Sequence, residues 1–236
     1  MTARCHAVLP AAGIGTRMGG DTPKQYLEIA GTTLLEHSLR ALLACEQINT
    51  VVVPLHPDDS HAQDIALLGD ARVRRVGGGA ERADSVLAGL VALSREADDG
   101  DWVLVHDAAR PCVSCAAIER LIAAVLGSGC GGILAQPVVD TVKQATPEGR
   151  VSATLDRGTL WRAQTPQMFR LGELRDALQR SLEEGLAITD EASAMELSGY
   201  PVQLVPGPSS NLKVTLPEDL ALAAWYLAQN QSTEVS

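Results

Sequence analysis

Short apolar runs alternate with segments of helical periodicity along the first half of the chain. Four apolar runs are typical of buried strands: 5–10, 49–55, 72–76 and 101–106. Leucines at helical spacing predict a helix capped by Thr32 or Thr33, a second helix is predicted over 82–93, and polar residues at 57–60 predict another helix start. This order predicts a doubly wound α/β fold with a mostly parallel, Rossmann-like sheet.

The alternation of predicted strands and helices stops after Pro137. Two extended runs, 138–146 and 151–157, flank the turn residues at 147–149 and predict a β-hairpin that protrudes from the sheet. An isolated hairpin is only marginally stable in water, so we expect it to pack against a second subunit. The remaining elements are predicted as helices at 171–182, 191–197 and 218–229 and a strand at 202–205.

We expect a single domain over residues 1–236, with 138–157 as its dimerisation arm and 231–236 as a flexible tail. Apolar residues make up 46% of the chain but aromatic residues only 3%, which suits a sheet buried on both faces by aliphatic side chains.

The charge balance excludes one class of partner. The chain has 19 Lys and Arg against 29 Asp and Glu, a formal charge of −10, which would repel nucleic acid. A small phosphorylated substrate needs only a local group of cations and is compatible with this charge.

The cysteines and the hydropathy pattern indicate a compartment. Five scattered cysteines read as reduced thiols, and the C-x-x-C at 112–115 lacks the second pair of a zinc site. No apolar run reaches the ~20 residues of a membrane span. We therefore expect a cytoplasmic protein with no membrane partner.

The stretch that follows the first strand, 11–19, carries the clearest chemical signal. Its glycines let the backbone approach a phosphate chain, and Arg17 and Lys24 add two cations to the same loop. This combination favours triphosphate binding over a plain flexible turn. Met18 stands where a dinucleotide fingerprint needs its third glycine, and the Gly-Lys-Ser/Thr of a Walker loop is missing.

Several segments together resemble one family, the 2-C-methyl-D-erythritol 4-phosphate cytidylyltransferases. The matching segments are LPAAGIGTRMGGDTPKQYL at 9–27, GGGAERADSVLAGL at 77–90, HDAARP at 106–111, VDTVK at 139–143, LDRGTLWRAQTPQMF at 155–169, TDEASAME at 189–196 and LKVTLPEDL at 212–220. The resemblance implies a nucleotidyltransferase-type fold and the joining of CTP to 2-C-methyl-D-erythritol 4-phosphate, with release of pyrophosphate. It also implies Mg²⁺ or another divalent cation, bound mainly through the CTP phosphates, and a homodimer.

The resemblance also implies roles for individual residues. The residues expected around CTP are Ala11, Ala12, Gly13, Gly15, Arg17, Lys24, Gly79, Ser85, Asp107 and Ala108. Those expected around the polyol phosphate are Asp107, Arg110, Thr141, Arg157, Thr165, Thr189 and Lys213. Thr165 and Thr189 are expected to donate hydrogen bonds to the polyol from their hydroxyl groups.

Four of these residues are expected to be catalytic. Arg17 and Lys24 would stabilise charge on the α-phosphate and on the departing pyrophosphate. Arg157 and Lys213 would position the incoming phosphate. Thr141 and Arg157 are expected to reach the active site of the other subunit. No residue is assigned as a metal ligand.

Three alternatives stay open at this point. A cytidylyltransferase for ribitol 5-phosphate or another pentitol phosphate would share the CTP loop and much of the arm. A nicotinamide-dependent oxidoreductase could use the Gly-rich loop, although the missing third glycine argues against it. A catalytically silent nucleotide-binding regulator would release no pyrophosphate.

Overall fold

The computed structural model describes residues 4–13 and 22–234, with side chains to Gln229. Its strands are β1 (Cys5–Val8), β2 (Glu28–Ile29), β3 (Thr32–Thr33), β4 (Ile48–Leu55), β5 (Val73–Gly77), β6 (Trp102–Val105), β7 (Gly132–Pro137), β8 (Lys143–Ala145), β9 (Val151–Thr154), β10 (Trp161–Arg170) and β11 (Gln203–Pro206). Its α-helices are α1 (Leu34–Ala44), α2 (Arg82–Leu93), α3 (Cys115–Ser128), α4 (Leu171–Glu183), α5 (Glu191–Leu197) and α6 (Pro217–Glu234).

Seven strands form one sheet in the order β11-β7-β10-β6-β1-β4-β5. Pairing is parallel throughout except at β10, which runs antiparallel to both of its neighbours, β6 and β7. The predicted mostly parallel α/β fold is therefore confirmed. None of the described helices has the length and apolar character of a membrane span.

Helices cover both faces of the sheet, and the alternation of side chains along β1 shows the two layers. Ala7 packs into a cluster with residues of α1 and α3, whereas the next residue, Val8, packs into a cluster with residues of α2, α4 and α5. Both residues are fully buried. Strands enclosed on both faces lose the polar alternation of a half-exposed strand, which explains the uninterrupted apolar runs in the sequence.

Local side-chain chemistry sets the helix starts. Thr33 caps α1 in a capping box: its Oγ1 accepts from the Glu36 N–H at 3.2 Å, and the Glu36 carboxylate accepts from the Thr33 N–H at 3.1 Å. Asp190 caps α5 by accepting from the Ser193 N–H at 3.0 Å. At the start of α2 the Glu81 N–H donates to the Asp84 carboxylate at 3.0 Å. The helices α2 and α5 begin at Arg82 and Glu191, the residues predicted from the sequence.

The helix start predicted at 57–60 is wrong. Two 3₁₀ turns, His61–Asp64 and Ala66–Gly69, follow that stretch instead. Asp59 accounts for part of the difference, because its Oδ1 accepts from the backbone N–H groups of His61 and Ala62 and its Oδ2 accepts from a tyrosine hydroxyl. Side-chain bonds of this kind compete with the helical pattern.

The long elements α3, β7 and β10 were not predicted, and neither was the short strand pair β2 and β3. The strand β10 carries Pro166, which cannot donate to a ladder, and its pairing with β7 shifts register between Ala163 and Gln167, on either side of that proline. At the other end of the chain, α6 continues to Glu234 and so extends into the predicted tail.

The hairpin is present but shorter than predicted. Strands β8 and β9 pair antiparallel in a sheet of their own, with Gly149 at φ 79° in the turn. Thr141 precedes this ladder, and Arg157 begins a 3₁₀ turn after it. Asp156 favours that turn because its Oδ1 accepts from the Gly158 N–H at 3.0 Å.

Candidate active site

Two neighbouring cavities open near the carboxyl ends of β1 and β6. The larger cavity, of about 500 Å³, is lined by the predicted CTP residues Ala11, Ala12, Gly13, Lys24, Ser85, Asp107 and Ala108, together with Gln25, Glu81, Arg82 and Lys213. The smaller cavity, of about 190 Å³, is lined by the predicted acceptor residues Asp107, Arg110, Thr165, Thr189 and Lys213, together with Arg82, Gln164, Gln167 and Asp190. Arg82, Asp107 and Lys213 line both cavities.

Glycine contacts shape one wall of the larger cavity. A Cβ at Gly78 would collide with the Ala12 Cβ and lie 3.0 Å from the Ser85 Oγ. The Gly79 N–H donates to that Oγ at 3.1 Å, and the Ser85 hydroxyl is also within 3.1 Å of the Glu81 carbonyl. Gly79 therefore supports the wall through Ser85 without lining the cavity itself.

The loop after β1 is held from both sides. The Ala11 N–H donates to the Pro54 carbonyl at 2.9 Å, and the Gln25 side-chain amide donates to the Ala11 carbonyl at 2.7 Å. Lys24 lies in the same 3₁₀ turn as Gln25 and reaches the cavity with it. Two further predicted ligands, Gly15 and Arg17, lie outside the described residues.

Asp107 stands at the junction of the two cavities and is surrounded by cations. Its carboxylate lies 2.8 Å from Arg82 Nε, 2.9 Å from Lys213 Nζ and 3.8 Å from Arg110 Nε. Burial alone would raise the pKa of Asp107, but these three charges outweigh it and hold the pKa well below its ordinary value. Asp107 is therefore ionised at neutral pH and gathers three cations at one point.

Comparison with known proteins identifies the family to which this site belongs. Residues 5–229 match the family model described as 2-C-methyl-D-erythritol 4-phosphate cytidylyltransferase. The chain belongs to this family. A curated relative of that name from Photobacterium profundum is 53% identical over 234 residues, which cover 97% of this chain and 98% of the relative.

Solved structures agree. A crystal structure of a 4-diphosphocytidyl-2C-methyl-D-erythritol synthase is 39% identical with a TM-score of 0.82, covering 96% of this chain and all of that one. The Francisella tularensis 2-C-methyl-D-erythritol 4-phosphate cytidylyltransferase is 35% identical with the same TM-score, covering 95% and 100%. The predicted family is confirmed, and with it a nucleotidyltransferase in preference to an oxidoreductase or a silent regulator.

Among the residues predicted to bind the polyol phosphate, Arg110 uses much of its guanidinium in contacts within the chain. Its Nη1 donates to the Asn211 carbonyl at 2.8 Å, and its side chain is 12% exposed. Burial lowers the pKa of Arg110 below its ordinary value although Asp107 opposes the shift. Arg110 thus ties the segment after β6 to the segment that carries Lys213, and it meets the smaller cavity with one part of its side chain.

Thr165 is buried in a chain of hydrogen bonds. Its Oγ1 accepts from the Asp107 N–H at 3.0 Å and lies 3.0 Å from His106 Nδ1. His106 Nε2 faces the Arg110 carbonyl at 3.2 Å, and a carbonyl can only accept, so the His106 proton sits on Nε2. Thr165 therefore donates its one proton to His106 Nδ1. Toward a ligand it can offer an acceptor, not the donor expected from the sequence.

The other predicted acceptor residues are placed differently. Thr189 is exposed and lines the smaller cavity, and Asp190 rather than Thr189 caps α5. Thr141 and Arg157 line neither cavity in this chain. Both are exposed, and Arg157 Nη1 donates to the Val139 carbonyl at 2.5 Å.

Several residues of the site were missed in the sequence, and the most prominent of them form an ion pair. Arg82 and Glu191 form a two-point ion pair, with Nη1 to Oε1 at 2.7 Å and Nη2 to Oε2 at 3.1 Å. Each is the first residue of a correctly predicted helix, and each stands inside a segment quoted for the family resemblance. A charged residue at a helix start beside a ligand loop was the available signal.

The carboxylates at the larger cavity limit how a metal ion could be held. Glu81 and Asp107 line it, and Asp107 is already compensated by cations. A separate group, Cys45, Cys115 and Glu119, has ligand atoms within 4.8 Å of one another, and these residues line neither cavity. Among the described residues, the larger cavity therefore offers few carboxylate ligands, which fits a cation bound mainly through the phosphates of a nucleotide.

Proposed function

We propose that the chain transfers the cytidylyl group of CTP to 2-C-methyl-D-erythritol 4-phosphate, giving 4-diphosphocytidyl-2-C-methyl-D-erythritol and pyrophosphate for non-mevalonate isoprenoid precursor synthesis. The observation that carries this proposal is the pair of cavities that share Arg82, Asp107 and Lys213. A nucleotide in the larger cavity and a polyol phosphate in the smaller one would meet at that shared wall.

The chemistry is an in-line displacement. A phosphate oxygen of the acceptor attacks the α-phosphorus of CTP, a new phosphorus–oxygen bond forms, and the bond from the α-phosphorus to the bridging oxygen breaks. Its electron pair leaves with pyrophosphate. A phosphate dianion is already a competent nucleophile, so the protein needs no general base. It must hold two anions in line and stabilise the charge that develops.

The cations divide this work between the two substrates. Lys24, with Arg17, would contact the triphosphate and stabilise the charge on the α-phosphate and the leaving pyrophosphate. Lys213 would hold the acceptor phosphate, because its ammonium stands at the junction of the two cavities. Asp107 keeps Lys213 and Arg82 together at that junction.

We propose Mg²⁺ as the cofactor, bound mainly through the triphosphate oxygens. When bound it would neutralise part of the triphosphate charge. Glu81, at the edge of the larger cavity, is the carboxylate able to meet it there.

The active form is proposed to be a homodimer. Val139 and Val151 on the arm are 74% and 65% exposed, and β8 and β9 are solvent-facing along most of their length. A partner subunit that covers these valines would bury apolar surface and order the arm. The same packing would bring Thr141 and Arg157 to the partner's smaller cavity.

We propose the cytoplasm as the site of the reaction.

Pyrophosphate release tests the reaction. The purified chain, CTP and Mg²⁺ are assayed with 2-C-methyl-D-erythritol 4-phosphate and, in parallel, with ribitol 5-phosphate. We expect release with the first acceptor and much less with the second. Faster release with ribitol 5-phosphate would instead make this a pentitol phosphate cytidylyltransferase.

A further inference from the structure

Glu191 is an acidic residue buried against the cation cluster. It is 1% exposed and stands at the first position of α5. Both of its carboxylate oxygens accept from one guanidinium, that of Arg82. A buried charge engaged at two points by one partner fixes the orientation of that partner as well as its charge.

Arg82 is held by two carboxylates on different elements. Besides the two bonds to Glu191, its Nε donates to the Asp107 carboxylate at 2.8 Å. Burial by itself lowers the pKa of Arg82, but Glu191 and Asp107 outweigh it and raise the pKa above its ordinary value. A guanidinium has five N–H groups, so three are engaged and two remain for a ligand. Arg82 lines both cavities, so its guanidinium is placed to meet phosphates at the junction.

Glu191 is itself held rigidly on its own side. The Gln167 side chain donates to the Asp190 carboxylate at 2.8 Å and accepts from the Ala192 N–H at 2.8 Å. The residues on either side of Glu191 are therefore anchored to β10. Gln167 is 1% exposed, so this anchor lies inside the protein.

We propose that Glu191 is a positioning residue for the cytidylyl transfer. It fixes the orientation of the Arg82 guanidinium at the junction of the larger and smaller cavities, where the phosphates of both substrates would meet. It also joins α5, on the acceptor side, to α2, which begins after the glycines of the nucleotide side. The inference rests on the proposed function and adds to it the residue that orients one of its cations.

The charge of the cluster predicts how the loss of the Glu191 carboxylate would change kcat and KM. Three cations and two carboxylates leave a net charge of +1 at the junction. Glu191→Gln makes the junction more positive, so the affinity for both anionic substrates should not fall. The misaligned guanidinium should lower kcat by ~10²-fold, because small displacements of a positioned group are costly in the transition state. The KM values for CTP and for the acceptor should stay level or decrease.

A double-mutant cycle separates positioning from a structural role. We would measure kcat and both KM values for wild type, Glu191→Gln, Arg82→Ala and the double variant, with thermal unfolding of each. We expect Glu191→Gln to add less than ~3-fold to the loss in the Arg82→Ala background, since it acts through Arg82. Asp99→Asn, which removes a charge from an exposed ion pair with Arg175, is the matched control and should leave kcat unchanged.

Wild-type turnover tests the proposed function separately. If the wild type releases pyrophosphate, full kcat in Glu191→Gln, or an undiminished effect in the Arg82→Ala background, overturns the inference. Should Glu191→Gln fail to fold, the kcat of Arg82→Lys tests the inference instead. It keeps the charge but cannot bridge both carboxylates, so normal kcat in Arg82→Lys would show that no oriented guanidinium is required.

Discussion

The Lys213 Nζ lies 2.9 Å from the Asp107 Oδ2, at the wall shared by the two cavities. Asp107 is 7% exposed, while the Lys213 side chain is 41% exposed, so the pair has one buried and one accessible member. The carboxylate therefore acts as a fixed point that directs an accessible ammonium toward the place where two anionic substrates would meet.

Lys213→Ala should lower kcat/KM for the acceptor by ~10²-fold, because it removes a charge aimed at the reacting phosphates. The melting temperature should change little, since Asp107 keeps Arg82 and Arg110 as partners. Steady-state kinetics with varied acceptor, and a thermal melt, check this. Arg74→Ala, on β5 and outside both cavities, is the control, and equal activity in the two variants would remove Lys213 from the mechanism.

Gly78→Ala should weaken CTP binding by ~10-fold or more, because the new methyl group displaces Ala12 or Ser85 and so deforms the cavity wall. Gly100→Ala is the matched control, since a Cβ there meets nothing within 4 Å. Calorimetric titration of each variant with CTP and Mg²⁺ gives the affinities. Wild-type affinity in Gly78→Ala would mean that this wall does not contact the nucleotide.

Stability should fall as the pH is lowered from 6.5 toward 4. Burial lowers the pKa of His106 from 6.5 to about 4, so over this range the unfolded chain binds a proton that the folded chain does not. The contribution of neutral His106 to the free energy of unfolding is fully present above pH 6.5, the pKa in the unfolded chain. On the order of 3 kcal/mol of it is lost when the pH reaches about 4, the pKa in the folded chain.

Urea unfolding at pH 7 and pH 5 measures the larger part of this loss. His106→Gln should unfold at lower urea at pH 7 and show a smaller difference between the two pH values. A part of the difference should persist, because the pKa values of His6 and His37 are also lowered by burial. An unchanged difference would assign the pH dependence to groups other than His106.

Mixed dimers test the shared active site. Lys24→Ala and Arg157→Ala should each lower turnover by ~10²-fold, since each removes a charge that serves the transferred phosphates. Mixing the two variants should restore part of the activity, because one site of a mixed dimer then holds both wild-type residues. If subunit exchange is verified and the mixture stays as inactive as its parents, Arg157 acts within its own chain.

Much of the fold could be predicted because its signals are local. Thr33 and Asp190 mark helix starts through their own side chains, and the apolar runs of β1, β4 and β6 identify buried strands. The segments after β1, β5 and β6 were expected at one edge of a parallel sheet, and residues from them do line the two cavities.

The sequence by itself determined the family, the parallel α/β architecture and most residues that converge on the cavities. Only the tertiary structure decided how their polar groups are used. The Thr165 hydroxyl donates a hydrogen bond to His106, and Arg110 donates one to a backbone carbonyl. Arg82 forms an ion pair with Glu191, 109 positions away. The placement of β10 between β6 and β7 was equally nonlocal. Hydrogen-bond partners and strand neighbours depend on which distant segments meet, and helical or strand periodicity carries no information about that.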